Sequence, residues 1–325
     1  MLYKPVTNTK KPVSSTYYNG IYIKFILLLI SSIIISGLIL LILWMNGTLW
    51  ESSSITNYQY NTTGIVLTII LSICGIIFNL WVCLCFLVLT SKPTFTKKSL
   101  ELMVHSAVND YNKSIAKHTK DQIYQRGLLY FNKKRVKYPG VDKDQIIFAT
   151  KREECFKFIH KRFMLAYPKL VLKNPDWGLN NVGGIYARQL IMMINFKEYI
   201  CIWGAELAQS GFSGYYPHLN EGDVVISGLL KSAEFNSEES LIATYKFGDT
   251  SELKNGRGRH YILSEGCYMI SYGLHKNTQM WRVFYNGLIM PYLFQNGDTK
   301  SFLIQLGDST RSILKWIIYR IEGGE

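Results

Sequence analysis

The stretch KEYICIWGAELAQSGFSGYYPHLNEGDVVISG, residues 197–228, contains two β-rich runs joined by a connection that contains Gly, Ser and Pro. The runs KEYICIWG and DVVISGLL are rich in β-branched and aromatic residues, which is typical of short strands. Comparable runs follow in LIATYKFG, RHYILSEGCYMISYG and MWRVFYNG, separated by Gly, Asn and Asp. This spacing predicts a β-barrel or β-sandwich within residues 174–325.

The segment before these strands has a helical pattern and a strong positive charge. In residues 96–170, apolar positions such as Leu100, Val104 and Val108 recur at helical spacing. Residues 91–173 hold nineteen Lys and Arg against seven Asp and Glu, most of the formal net charge of +13. Such a surplus is typical of a solvated helix face, and it also fits contact with anionic lipid headgroups. No nucleic-acid-binding module is recognisable, so a nucleic-acid partner is not expected.

Two long apolar runs precede the basic segment. Residues 21–45 and 64–90 each exceed the ~20 residues that a helix needs to cross a bilayer. The first run is too long for a signal-peptide core and lacks a small-residue cleavage pattern. The sequence therefore predicts a flexible N-terminus (1–20) and two transmembrane helices (21–45 and 64–90).

Charges beside these spans predict their orientation. Lysines precede or open the first span and follow the second, whereas the loop 46–63 has no basic residue. By the positive-inside tendency, both ends of the chain should lie on the cytosolic or matrix side.

The cysteines and histidines indicate neither a disulfide framework nor a metal site. Three of the six cysteines lie within 64–90 and the other three are scattered. No Cys pair or His cluster has metal-ligand spacing, so we expect neither a metal nor another cofactor.

The run of residues 167–228 resembles the C-8 sterol isomerase and sigma non-opioid receptor family. The resemblance rests on short pieces in family order: Tyr167-Pro168, Trp177, Asn181-x-Gly183-Gly184, Glu198-Tyr199, Gly204, Gly211-x-Ser213-Gly214, Asp223, Ser227-Gly228, Trp281-x-Val283-x-Tyr285, Pro291 and Gly297-Asp298-Thr299. It covers roughly the last 165 residues. The resemblance implies an α+β membrane protein: after the two transmembrane helices and the basic helical segment comes a cupin-like β-barrel, closed by amphipathic C-terminal helices on the membrane. It also implies a trimer and an elongated apolar ligand.

In the isomerases of this family, two buried carboxylates move a sterol double bond from the 8 to the 7 position, and in the receptors they bind a cationic amine. Asp223 matches the first carboxylate, and Tyr199 matches a tyrosine that hydrogen-bonds within the pair. Phe284 stands where the family has its glutamate. Because a phenyl ring neither donates a proton nor balances charge, the sequence favours loss of the isomerase reaction.

Neighbouring positions have also drifted from the family pattern. Phe212 replaces a histidine, Tyr215 an arginine, and Met193-Ile194-Asn195 the usual His-Ala-Ser. The other acids of this half, Glu206, Glu265 and Asp298, do not occupy the matching strand position. The sequence therefore does not favour the interpretation that another acid has taken over the role of the family's glutamate.

Arg282 shares a strand face with Phe284 and could pair with Asp223 inside the barrel, or lie at the rim near water. The expected ligand pocket comprises Tyr199, Trp203, Asp223, Tyr272, Arg282 and Phe284.

Three functions remain open from the sequence. The favoured one is a non-catalytic protein that binds a membrane lipid or sterol, or serves as a structural subunit of a larger membrane complex. The alternative is an active C-8 sterol isomerase. The family resemblance implies the endoplasmic reticulum, while the predicted orientation admits the mitochondrial inner membrane. A trimer of identical or related chains is expected.

Overall fold

The computed structural model describes residues 91–133, 140–214, 219–235, 242–253, 257–275 and 297–324, with isolated positions before residue 91 and at 289 and 294. The chain divides into two compact units, Met1–Ser91 and Lys92–Glu325. The predicted spans fall in the first unit, where only Gly37 and scattered positions between 70 and 90 are described. Those positions are helical. Within the described residues, no helix combines the length and the apolar character needed to span a membrane.

Three helices open the second unit: α1 (Lys97–Ile115), α2 (Lys120–Lys133) and α3 (Lys143–Ala166). Capping boxes fix two of their starts, since Thr96 and Ser99 cap α1 and Asp142 and Gln145 cap α3. The apolar stripe of α1, which includes Leu100, is buried.

Ten strands follow: β1 (Trp177–Asn180), β2 (Ala187–Ile194), β3 (Glu198–Ala205), β4 (Gln209–Phe212), β5 (Leu219–Ser227), β6 (Leu230–Phe235), β7 (Ile242–Tyr245), β8 (Thr250–Leu253), β9 (Gly258–Leu263) and β10 (Cys267–His275). They form a six-stranded sheet in the order β1-β2-β3-β10-β5-β8 and a four-stranded sheet in the order β4-β9-β6-β7. Every pairing given by the register is antiparallel.

Both sheets contribute side chains to one apolar core. Ala205, Val225 and Met269 come from the six-stranded sheet, and Tyr261 and Leu263 from β9 of the other. Because side chains alternate along a strand, this cluster identifies the faces that the two sheets turn toward each other. Polar residues on these faces therefore lie inside the barrel.

The opposite face of the six-stranded sheet carries α3. Tyr268 of β10 packs on Phe156 of α3 with ring centroids 4.9 Å apart. Glu206 lies between Arg152 of α3 and Arg188 of β2, at 2.6 and 2.9 Å, and accepts a hydrogen bond from Tyr268 at 2.8 Å. This mixed aromatic and ionic contact fixes the helix against the sheet.

The last helix, α4 (Thr299–Ile321), buries a polar face. Its buried residues are Ser301, Gln305, Asp308, Ser309, Ser312 and Trp316. Leu179 donates its backbone N–H to Ser301 at 3.3 Å, and Ile194 donates its own to Ser312 at 2.7 Å. The helix therefore docks on β1 and β2 through hydrogen bonds.

The predicted α+β class is confirmed, with helices followed by a sheet-rich half. The two facing antiparallel sheets agree with the cupin-like expectation.

Candidate functional site

Two rows of residues cross the inner face of the six-stranded sheet. The first row aligns Cys201 of β3, Ser271 of β10, Asp223 of β5 and Ser251 of β8. The second row aligns Tyr199, Gly273, Glu221 and Leu253 on the same strands. Side chains directly opposite each other on paired strands lie about 4.5–5.5 Å apart at Cβ, so each row is a set of direct neighbours.

Asp223 forms a buried ion pair with Arg259. The guanidinium reaches across the barrel from β9 and donates Nη2–H to Asp223 Oδ2 and Nη1–H to Ser251 Oγ. Ser271 Oγ donates to the other oxygen, Asp223 Oδ1. The side chains of the pair are only 5% and 6% exposed, so solvent screens them little. Both oxygens of Asp223 are thus engaged by groups of the protein.

The loop around Ser213 positions Arg259. Ser213 donates its backbone N–H to the Arg259 carbonyl at 2.9 Å, and its Oγ accepts the Arg259 N–H at 3.0 Å. The neighbouring Gly183 has a φ of +71°, and a Cβ there would lie 2.1 Å from the Phe212 carbonyl oxygen. Gly183 and Gly211 therefore pack too closely against each other's segments to carry a side chain.

Glu221 is a second acid on the same face of β5. Tyr199 Oη donates to Glu221 Oε1 at 2.9 Å. Both residues lie opposite Gly273, whose missing side chain lets the tyrosine reach across β10. Burial, and next the neighbouring Asp223 charge, raise the pKa of Glu221 to about 7, against the lowering effects of Arg259 and the Tyr199 hydrogen bond. Glu221 can therefore bind or release a proton near neutral pH.

Three predicted pocket residues lie on the inner face of the six-stranded sheet: Tyr199 in the row of Glu221, Asp223 in the next row, and Trp203 in the row beyond it. Trp203 packs edge-on against Tyr261 with ring centroids 5.9 Å apart. Tyr272 is a correction. It lies on the outer face of β10, between the inward-facing Ser271 and Gly273, and donates to Glu101 of α1 at 3.3 Å. Arg282 and Phe284, the other two predicted pocket residues, lie outside the described residues.

Sequence reasoning missed Glu221 and Arg259. Strand alternation from Asp223 was enough to find Glu221, because residues i and i+2 of a strand share a face. No local signal marks Arg259, since its contact with Asp223 depends on how the two sheets face each other.

The three acids considered as substitutes for the family's glutamate, Glu206, Asp298 and Glu265, lie away from Asp223. Burial alone would raise the pKa of Glu206, but Arg152, Tyr268 and Arg188 together hold it below its usual value. Asp298 caps α4 by accepting the Ser301 N–H at 3.0 Å. Glu265 lies exposed in the turn between β9 and β10. None of the three joins the Asp223 cluster. Among the described residues, no group of His, Cys, Asp or Glu is arranged to hold a metal ion.

Comparison with known proteins finds one matching family model. The family described as ERG2 and Sigma1 receptor like protein matches residues 125–280, the part of the chain that contains Asp223 and Glu221. The family resemblance predicted from the sequence is confirmed.

Individual relatives match a similar part of the chain. The protein erg2 homolog of Dictyostelium discoideum is 26% identical over 121 residues, 37% of this chain and 51% of the relative. The sigma non-opioid intracellular receptor 1 of Danio rerio is 27% identical over 123 residues, 37% of this chain and 54% of the receptor. The C-8 sterol isomerase ERG2 of Gibberella zeae is 25% identical over 105 residues, 32% and 43% of the two chains. The chain thus spans about half the length of the curated relatives it matches.

Proposed function

We propose that this chain is a membrane-associated, non-catalytic protein that binds a neutral, elongated lipid of the sterol class. The observation that carries the proposal is the buried Arg259–Asp223 pair. A guanidinium and one carboxylate cancel in charge, so a neutral apolar ligand can cover them without leaving a charge unpaired. A cationic amine would instead have to compete with Arg259 for Asp223.

The same pair argues against isomerase chemistry at Asp223. Moving an alkene requires a proton donor for one carbon and a base that removes a proton from another. Ser271 and Arg259 each hydrogen-bond to one oxygen of Asp223, so a substrate proton would have to compete with the Arg259 guanidinium for the charge of this carboxylate. The family resemblance of the sequence also implies that Phe284 stands where the family has its second acid.

One observation favours the alternative, an active sterol isomerase. Glu221 is a protonatable carboxyl two residues from Asp223, on the same face of β5. If the Glu221 carboxyl protonates one alkene carbon, the other alkene carbon becomes a cation. The Glu221 carboxylate can then remove a proton from the carbon on the far side of that cation, which restores the acid and moves the double bond. Under this alternative, Glu221→Gln abolishes conversion of Δ8 to Δ7 sterol.

Helix α4 supports association with a membrane. Leu303, Leu314, Ile318 and Ile321 are each at least half exposed on one side of the helix, opposite its polar buried face. An apolar stripe on a basic helix is typical of an interfacial segment. We further propose assembly as a trimer, of identical or related chains, or within a larger membrane complex of the endoplasmic reticulum or the mitochondrial inner membrane.

Equilibrium binding to the full chain in lipid nanodiscs tests the proposed ligand class. We expect a neutral sterol such as cholestanol to bind and a cationic amphiphile of similar length, such as a long-chain tertiary amine, to bind at least tenfold more weakly. The Asp223→Asn variant is the control for the amine measurement. Tight amine binding that Asp223→Asn removes would contradict the proposal.

A further inference from the structure

One acid inside the barrel has no counter-charge of its own. Arg259 is bound to Asp223, and Tyr199 engages only Oε1 of Glu221. Within the described part of the chain, Oε2 of Glu221 has no hydrogen-bond partner. Glu221 is partly accessible, in contrast to Asp223, which is 4% exposed. A free oxygen beside a tyrosine hydroxyl is a hydrogen-bonding site for a ligand.

We propose that Glu221 and Tyr199 hold the hydroxyl group of a neutral, hydroxyl-bearing lipid, and that the Glu221 carboxyl does so in its protonated form. This inference rests on the proposed function, because it names the ligand group that the same interior recognises. Glu221 is thereby a residue that determines ligand specificity.

The surroundings of the pair suit an amphiphilic ligand. Next to the row of Asp223 lies an apolar row made of Trp203, Met269 and Val225. Gly273 and Leu253, the other members of the Glu221 row, offer no competing polar side chain. A ligand with one hydroxyl and a hydrocarbon body would place the hydroxyl at Glu221 and its apolar part against Trp203, the partly buried member of that apolar row.

The charges around Glu221 make this recognition dependent on pH. Asp223 on the same strand raises the pKa of Glu221, while Arg259 of β9 and Tyr199 of β3 lower it. Cys201 of β3 stays a neutral thiol, because burial raises its pKa to about 12. Covering an ionised carboxylate with an apolar ligand costs far more than covering a neutral carboxyl. Affinity for the hydroxyl-bearing lipid should therefore fall as pH rises through about 7.

A matched pair of ligands tests the inference: cholestanol, and 5α-cholestane, which lacks the hydroxyl. Binding of both to the full chain in nanodiscs is measured at pH 5.5 and 8.5. At pH 5.5 we expect a preference for cholestanol of roughly 3–10-fold, the usual value of one hydrogen bond. At pH 8.5 the affinity for cholestanol should be lower.

Three variants separate charge from hydrogen bonding. Glu221→Gln keeps polar groups without a titrating proton, so its binding of cholestanol should not change between the two pH values. Glu221→Leu should bind both ligands equally at either pH. Tyr199→Phe removes a hydrogen bond that lowers the pKa of Glu221, so the pH midpoint of cholestanol binding should move upward.

The outcomes distinguish the inference from the proposed function. If the wild-type chain binds neither ligand, both fail. If it binds both equally, or if Glu221→Leu keeps the preference for cholestanol, the inference is wrong while lipid binding stands. If Glu221→Leu does not fold, Glu221→Gln decides: a pH dependence equal to that of the wild type overturns the inference.

Discussion

At the scale of single residues, Arg259 determines the character of the barrel interior. Its guanidinium is 5% exposed and links the two sheets through Asp223 and Ser251. Burying two charges is costly, and their mutual attraction only offsets that cost. The pair is therefore explained better by the neutral interior that it produces than by a gain in stability.

Removing one partner of this pair should destabilise the fold. In Arg259→Met, Asp223 keeps a buried charge without a counter-ion, which typically costs about 3–5 kcal/mol. The double variant Asp223→Asn/Arg259→Met leaves no buried charge and should recover at least half of that loss. Thermal unfolding in detergent should rank the melting temperatures as wild type, double variant, then Arg259→Met. A single variant that melts within one degree of the wild type would contradict the buried pair.

The raised pKa of Glu221 predicts how stability depends on pH. The pKa of Glu221 is about 7 in the folded chain, against an ordinary value of 4.5. Between pH 4.5 and 7 the folded state therefore binds more protons than the unfolded state. The contribution is fully present below pH 4.5 and is lost as pH rises through 7. At 1.36 kcal/mol per pKa unit, the loss is roughly 3 kcal/mol.

Glu221→Gln should therefore melt at a higher temperature than the wild type at pH 8.5, and the difference should shrink or reverse at pH 4.5. Glu265→Gln, an exposed control in the turn between β9 and β10, should show no such change. A constant difference between wild type and Glu221→Gln at both pH values would mean that Glu221 titrates normally.

The sequence predicted part of this chemistry. Asp223 and Tyr199 are identified by resemblance, and an arginine paired with Asp223 is one of the two interpretations of Arg282, which lies outside the described residues. The arginine that the structure brings to Asp223 is Arg259, 36 residues away along the chain. That contact arises from the packing of two sheets, which no periodicity in one strand encodes.

At the scale of elements, Glu198, the first residue of β3, attaches the segment before α1 to that strand. Its Oε1 accepts the Thr94 N–H at 2.8 Å and its Oε2 accepts the Phe95 N–H at 3.0 Å. Asn195 Nδ2 adds a third hydrogen bond at 3.2 Å. The Glu198 side chain is completely buried, so these donors replace water as its hydrogen-bond partners.

Glu198→Gln should loosen this attachment. The amide NH₂ of glutamine would face a backbone N–H, which removes one hydrogen bond to a charged group and costs about 1.5–3 kcal/mol. Hydrogen exchange followed by mass spectrometry should show faster exchange in the peptide that contains Thr94 and Phe95. The peptide of β9 serves as the internal control, and unchanged exchange at residues 94–95 would contradict the attachment.

Helix α4 differs from its sequence pattern. Apolar residues recur at helical spacing along α4, at Ile313, Trp316, Ile317 and Ile321, yet Trp316 is 1% exposed and Ile321 is 50% exposed. The helix packs through two serines and Asp308, because these side chains accept hydrogen bonds from backbone N–H groups. The donors lie in β1, in β2 and at Asp176, just before β1. Apolar periodicity alone does not distinguish such a helix from one with an apolar docking face.

The exposed side of α4 should contact lipid. A benzophenone amino acid encoded at position 318 of the full chain in liposomes should cross-link to phospholipid on illumination. Position 242 is the matched control, since Ile242 is an isoleucine that is 70% exposed on β7. Equal lipid cross-linking at both positions, or none at 318, would contradict the membrane-facing orientation of α4.

At the scale of the whole molecule, one chain combines predicted membrane spans with a segment, residues 125–280, that matches the ERG2 and sigma receptor family model. Its charge is concentrated in the segment between them. The residues shared with the family that pack the barrel, such as Gly183 and Ser213, keep their structural contacts. The polar interior of the barrel holds two pairs, Arg259 on Asp223 and Tyr199 on Glu221. These two pairs are the features on which the proposed function and the proposed ligand contact rest.

The most direct test of this interpretation is to incubate the reconstituted wild-type chain with a Δ8 sterol and to identify both bound and released sterol by mass spectrometry. We predict that the Δ8 sterol is recovered from the protein unchanged, at a stoichiometry that saturates. Appearance of the Δ7 isomer, absent from a Glu221→Gln/Asp223→Asn control, would show that the barrel is an enzyme and would contradict the proposed function.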